Sequence, residues 1–64
     1  MSNQQSNTLD SLVNNKITVY SNRYSYSIIV SEVCQNYMKG IELGTGQTKI
    51  FNLADIAYIE YILP

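Results

Sequence analysis

The chain has 64 residues, four Lys or Arg against five Asp or Glu for a net charge of −1, one cysteine and no histidine. That length holds one small domain. The lone cysteine excludes an intrachain disulfide, the missing histidines leave no ordinary zinc-ligand set, and the sparse, balanced charge excludes a broad cationic footprint for nucleic acid on a single copy. A domain of this size buries only about 60% of its unfolded surface. With no disulfide and no metal to staple it, a partner subunit is the remaining source of stability.

Residues 1–7 are polar, have no apolar anchor and read as a disordered tail. They lack the apolar centre of a secretory peptide, and no apolar run reaches the roughly 20 residues needed to span a bilayer. The expected location is the cytoplasm, with no membrane contact. The domain proper is expected over 8–64. Thr8 caps a short α-helix whose Leu9, Leu12 and Val13 fall on one face, and Asn14-Asn15 ends it. A helix of one or two turns does not stand alone, so it must pack on a sheet.

Lys16-Ile17-Thr18-Val19-Tyr20 is β-branched and alternating, and reads as the first strand. Ser21-Asn22-Arg23 is a turn without glycine, where Asn22 best tolerates a positive φ. From Tyr24 to Val33 the period is two, with Tyr24, Tyr26, Ile28 and Val30 on one face. Cys34-Gln35-Asn36 turns the chain into a third strand, Tyr37 to Leu43, in which Gly40 marks a bulge or a close backbone approach. Gly44-Thr45-Gly46 is a hairpin signal. It lacks the lysine and helix of a phosphate-binding loop. A fourth strand, Gln47 to Asn52, meets a corner at Leu53-Ala54-Asp55, and the fifth runs from Ile56 to Ile62. The fold class is therefore mainly β: a short N-terminal α-helix followed by a five-stranded, strongly bent antiparallel sheet, a small barrel.

No catalytic constellation stands out, so an enzyme is not expected and no cofactor is required. Cys34 has no histidine to act as its base, and Asp55 and Glu60 have no evident partner to tune either as a general acid or base. The six tyrosines suit half-buried strand faces, so Tyr20, Tyr24, Tyr26 and Tyr61 read first as packing or interface residues. The last strand is apolar on both faces, with Ile56, Tyr58 and Ile62 on one and Ala57, Ile59, Tyr61 and Leu63 on the other. Such an edge is sticky unless paired. Ile56, Tyr58, Ile59 and Tyr61 are therefore the candidate interface, meeting the fourth strand of a neighbouring copy head to tail.

The unit Ile50-Phe51-Asn52-Leu53-Ala54-Asp55-Ile56-Ala57-Tyr58-Ile59 resembles the second motif of the Sm-like superfamily, in the divergent form of cyanobacterial-type Hfq proteins. Ile17 to Asn22 resembles the family's first strand and turn, and Asn36-Tyr37 lies near its Asp-x-aromatic element. The resemblance implies an Sm-like or SH3-like small barrel, a homo-oligomeric ring (a hexamer), and a post-transcriptional regulator that binds single-stranded RNA. The implied RNA contacts are Phe51, Asn52, Tyr37, Lys39 and Lys49. Asn52 and Leu53 occupy the places of the family's lysine and histidine. That change leaves two alternatives open: a protein-interaction adaptor without RNA binding, or a small viral or mobile-element inhibitor or sequestering protein.

Overall fold

The structure, a computed structural model, describes residues 8–63; the expected polar tail 1–7 lies outside that range. Five strands, β1 (Lys16–Ser21), β2 (Ser25–Val33), β3 (Tyr37–Glu42), β4 (Thr48–Asn52) and β5 (Ile56–Tyr61), follow a short helix at Thr8–Leu12. They form one antiparallel sheet in the order β4-β3-β2-β1-β5. The sheet does not close on itself, which corrects the expected small barrel: no pairing joins β4 to β5, and they remain its two edges.

The N-terminal helix is a 3-10 helix, which corrects the expected α-helix. Five residues are too few for a ladder of i→i−4 bonds. Just beyond it, Val13 N–H bonds to Asp10 O at 3.2 Å and Asn15 N–H to Leu12 O at 2.9 Å. Asn14 then leaves helical space at φ 70°, as an Asx residue does at low cost. The β1–β2 turn holds no such conformation, so the positive φ expected at Asn22 falls at Asn14 instead. Asn14 N–H donates to Val30 O and Val30 N–H to Asn15 O, at 2.8 and 3.1 Å. These bonds hold the helix against β2 and carry Leu12 into the core.

The period-two pattern of β1 and β2 has the expected effect. Ile17, Val19, Ile28, Val30 and Met38 are fully buried, with Leu12 and Phe51 nearly so. Full burial of each such side chain contributes about 1.5–3 kcal/mol, while ordering each residue of the chain costs about 1–2 kcal/mol in backbone entropy alone. So small a core leaves little surplus.

Two irregularities set which side chains face that core. Between Val30 and Glu32 the β2–β3 register shifts, so Ser31 is an extra residue. Its hydroxyl donates to Lys39 O at 3.2 Å. The bulge keeps Glu32 outside, across from Lys39, and returns Val33 to the core face beside Met38. A second shift between Tyr20 and Ser21 skips Ala57. Ile56 thereby packs on the core together with Ile59, which corrects the expected sharing of a face by Ile56 and Tyr58.

Gly40 lies next to the first bulge, paired with Val30. A Cβ there would run into the Ile28 side chain and lie 2.9 Å from Ile29 O, so the close approach expected at Gly40 is present. Gly44, by contrast, has open space around it. Gly40→Ala should therefore lower stability by about 1–3 kcal/mol, the usual cost of overpacking, while Gly44→Ala should leave the urea midpoint within error. Equal midpoints for the two variants would refute the close approach.

Candidate nucleic-acid interface

The β3–β4 register sorts the five candidate RNA contacts. Tyr37 pairs with Asn52, Met38 with Phe51, Lys39 with Ile50 and Gly40 with Lys49. Paired residues share a face. Met38 and Phe51 are buried, so Tyr37, Lys39, Asn52 and Ile50 share the opposite, outer face, whereas Lys49 lies on the core side. Sequence reasoning grouped all five; the sheet separates them by its own thickness.

Phe51 is only 7% exposed and belongs to the core. Its ring tilts against that of Tyr26 at 5.8 Å, so the residue that sequence reasoning favoured for base contact has no free ring face. Lys49 reaches back over the Tyr26 ring, Nζ 4.9 Å from its centroid, and pairs with Glu42 at 3.8 Å. Both charged groups are partly exposed, so the pair contributes little. Its stem covers the aromatic edge of the core.

The outer group is built by two turns that meet. Cys34 N–H donates to Tyr37 O at 2.8 Å and closes the β2–β3 turn. Leu53 N–H donates to Asn36 O at 3.0 Å, tying that turn to the corner after β4. Asn52 caps the short 3-10 turn Leu53–Asp55, its Oδ1 accepting from Ala54 N–H at 3.0 Å. This is the ordinary work of an N-cap asparagine. Its amide NH₂ has no partner among the described residues, which leaves two donors beside the half-buried Tyr37.

Charge at this rim is largely internal. The Cys34 thiol donates to Glu32 Oε2 at 3.0 Å, and Glu32 Oε1 lies 3.3 Å from Lys39 Nζ. The thiol bond and then Lys39 hold the Glu32 carboxyl below its ordinary range. The Tyr37 hydroxyl is raised, chiefly by its hydrogen bond with Cys34 and next by the negative charge of its neighbours. Tyr37 therefore stays neutral, and Lys39 is matched by a carboxylate. The rim offers a ring and amide donors rather than a cationic track.

The interface candidates also divide. Ile56 and Ile59 pack on the core, while Tyr58 and Tyr61 are each 56% exposed on the β5 edge. Tyr58 stacks on Tyr20 with ring centroids 4.4 Å apart and planes 13° apart, and Tyr20 Oη donates to Glu60 Oε1 at 2.8 Å. That bond, foremost, raises the Tyr20 hydroxyl above its ordinary value. Sequence reasoning missed this stack, because only the β1–β5 register brings Tyr20 beside Tyr58. It also missed Ile50, 65% exposed on the β4 edge. The signal was present in the adjacency of Ile50 and Phe51, since neighbours in a strand cannot both face the core.

Gly46 holds φ 75° in the β3–β4 turn, and its N–H donates to Glu42 O at 2.8 Å. Asp55 sits at the corner, and Glu60 serves Tyr20. Among the described residues no three His, Cys, Asp or Glu side chains gather as a metal site, and no helix is long and apolar enough to cross a membrane.

The Glu32 shift makes a pH prediction. A carboxyl depressed by folding adds stability above its unfolded value, here 4.5, and loses it as pH falls through the folded value. Between about pH 5 and about pH 3 the wild type should lose more thermal stability than Glu32→Gln, in a circular-dichroism melt. Parallel losses would mean that the Cys34–Glu32–Lys39 chain is not held in solution.

Comparison of this chain with family models, with curated proteins and with solved structures finds no match in any of the three.

Proposed function

We propose that the chain is the subunit of an Sm-like, head-to-tail homo-oligomer that takes single-stranded RNA bases at the Tyr37–Asn52 rim. The observation that carries this reading is the pair of open edges. A sheet ordered β4-β3-β2-β1-β5 presents two different unpaired backbones. Each carries exposed apolar or aromatic side chains, Ile50 on β4, Tyr58 and Tyr61 on β5. Edges of this kind invite pairing unless charge or proline blocks them. Because β4 and β5 differ, pairing one with the other is heterologous, and a constant rotation closes it into a ring.

At the rim, stacking on Tyr37 is worth about 1–3 kcal/mol per base, and the free Asn52 amide suits base carbonyls. With Lys39 matched by Glu32, few counterions are released on binding, so the salt dependence should be shallow. A second reading, docking of a protein partner without RNA, is favoured by the Tyr20–Tyr58 stack, since exposed tyrosine suits an interface.

Ile50→Lys tests the assembly, because Ile50 is exposed in the single copy and outside the core. Sedimentation should give a multiple of the chain mass for the wild type, and a monomer with intact sheet signal for the variant. A monomeric wild type at about 100 μM, a concentration at which a 1 μM contact is about nine-tenths formed, refutes the assembly. This variant is a cleaner probe than Ile59→Lys, which would bury a charge against the core.

For RNA, Tyr37→Ala should weaken binding of short A-rich or U-rich strands about tenfold in fluorescence anisotropy, in line with the loss of one stacked base. Glu32→Gln, by freeing Lys39, should strengthen binding and steepen its salt dependence. No binding by the wild type at low salt would sink the RNA reading and leave the protein-partner one, which a nuclease-resistant partner in a pull-down would support.

A further inference from the structure

A half-open cleft of about 370 Å³ lies between the β1–β2 turn and the β4–β5 corner, lined by Ser21, Asn22, Arg23, Tyr24, Ala54 and Asp55. That volume falls within the range of small-ligand sites. Its walls are preformed. On one side Ser21 N–H donates to Tyr24 O at 2.9 Å, and Arg23 N–H and Tyr24 N–H both donate to Ser21 Oγ at 3.2 Å. On the other, the corner is held by the Asn52 cap and by the Ile56 N–H bond to Leu53 O. The Tyr24 ring is braced edge-on by Tyr26 at 5.2 Å, which in turn meets Phe51 of the core.

The polar groups of this cleft are unspent. The Arg23 guanidinium, the Asp55 carboxylate and the Asn22 amide have no hydrogen-bond or ion-pair partner among the described residues. Arg23 and Asp55 line one cleft but do not pair with each other. A ligand that satisfies both brings an anion for the guanidinium and hydroxyl donors for the carboxylate. A flat ring would then match Tyr24.

We propose that this cleft binds a ribonucleoside 5′-phosphate unit: Arg23 takes the phosphate in a forked, charge-assisted contact, Asp55 accepts from the ribose hydroxyls, and the base lies against Tyr24. The same unit exists as a free nucleotide and as the 5′ end of an RNA strand. This site goes beyond the Tyr37–Asn52 rim and shares no residue with it.

The test is NMR titration of the full chain with adenosine 5′-monophosphate, its 2′-deoxy analogue, inorganic phosphate, and a tetranucleotide RNA with or without a 5′ phosphate. Adenosine 5′-monophosphate should saturate with shifts centred on 21–24 and 54–55. Arg23→Gln should weaken it about tenfold, the loss of one charge-assisted contact. Asp55→Asn should erase the preference for ribose over deoxyribose. Both side chains are exposed and unbonded, so both variants should keep the wild-type melting temperature. Tyr37→Ala should leave nucleotide binding unchanged, which separates this site from the rim. Tighter binding of the 5′-phosphorylated tetranucleotide than of the free nucleotide assigns the site to strand ends, and the reverse assigns it to free nucleotides. No saturation by about 10 mM, weaker than the range of specific binding, overturns the proposal. So does inorganic phosphate binding as tightly as the nucleotide, or Arg23→Gln without effect.

Discussion

The fold rests on β2 being shared by two neighbours. Its first half pairs with β1 and its second with β3, and Ile28 and Val30, at its centre, are fully buried. Everything else is placed from there: the N-terminal helix by bonds to Val30, β4 through β3, and β5 through β1. The Ser31 bulge is what lets one strand serve both sides. It raises the local twist and shifts the side-chain alternation, so that Val33 rejoins the core while Glu32 stays in water. Gly40, with no Cβ, lets β3 approach β2 closely beside the bulge.

The same arrangement leaves apolar side chains exposed along both edges of the single chain. Its core is filled by the middle of the sheet, and the edge strands add mainly their inward residues: Phe51 from β4, Ile56 and Ile59 from β5. Ile50 and Tyr58 on the outward side of those edges remain exposed, and each edge backbone is paired on one side only. A chain with no disulfide partner for Cys34 and a marginal core gains most from covering those edges. The assembly reading thus follows from stability as much as from pattern.

Electrostatics separates this surface from a common nucleic-acid groove. Lys39 is paired with Glu32, and Lys49 with Glu42 and the Tyr26 ring. The Arg23 guanidinium has no partner among the described residues and lines a cleft. On the proposed reading, recognition depends on stacking and directed hydrogen bonds more than on a charge field, so specificity would rest on few contacts and be sensitive to single substitutions.

Local pattern was enough for the strands. Period-two alternation in 16–33, the Gly44-Thr45-Gly46 turn and the Leu53-Ala54-Asp55 corner located all five to within a residue or two, because side-chain alternation and turn chemistry act over a few neighbours. The pattern overreached at Thr8–Leu12, where leucine spacing suits an α-helix but the segment is too short to propagate one. The family resemblance grouped Phe51 and Lys49 with Tyr37, Lys39 and Asn52, since adjacency in the chain hides that neighbours in a strand face opposite ways. Which face is the core, where Ser31 and Ala57 slip the register, that Tyr20 meets Tyr58, and that Arg23 and Asp55 line one cleft were decided by pairing between distant segments. That pairing is a property of the sheet as a whole, because a shift of one residue sends every side chain to the other side.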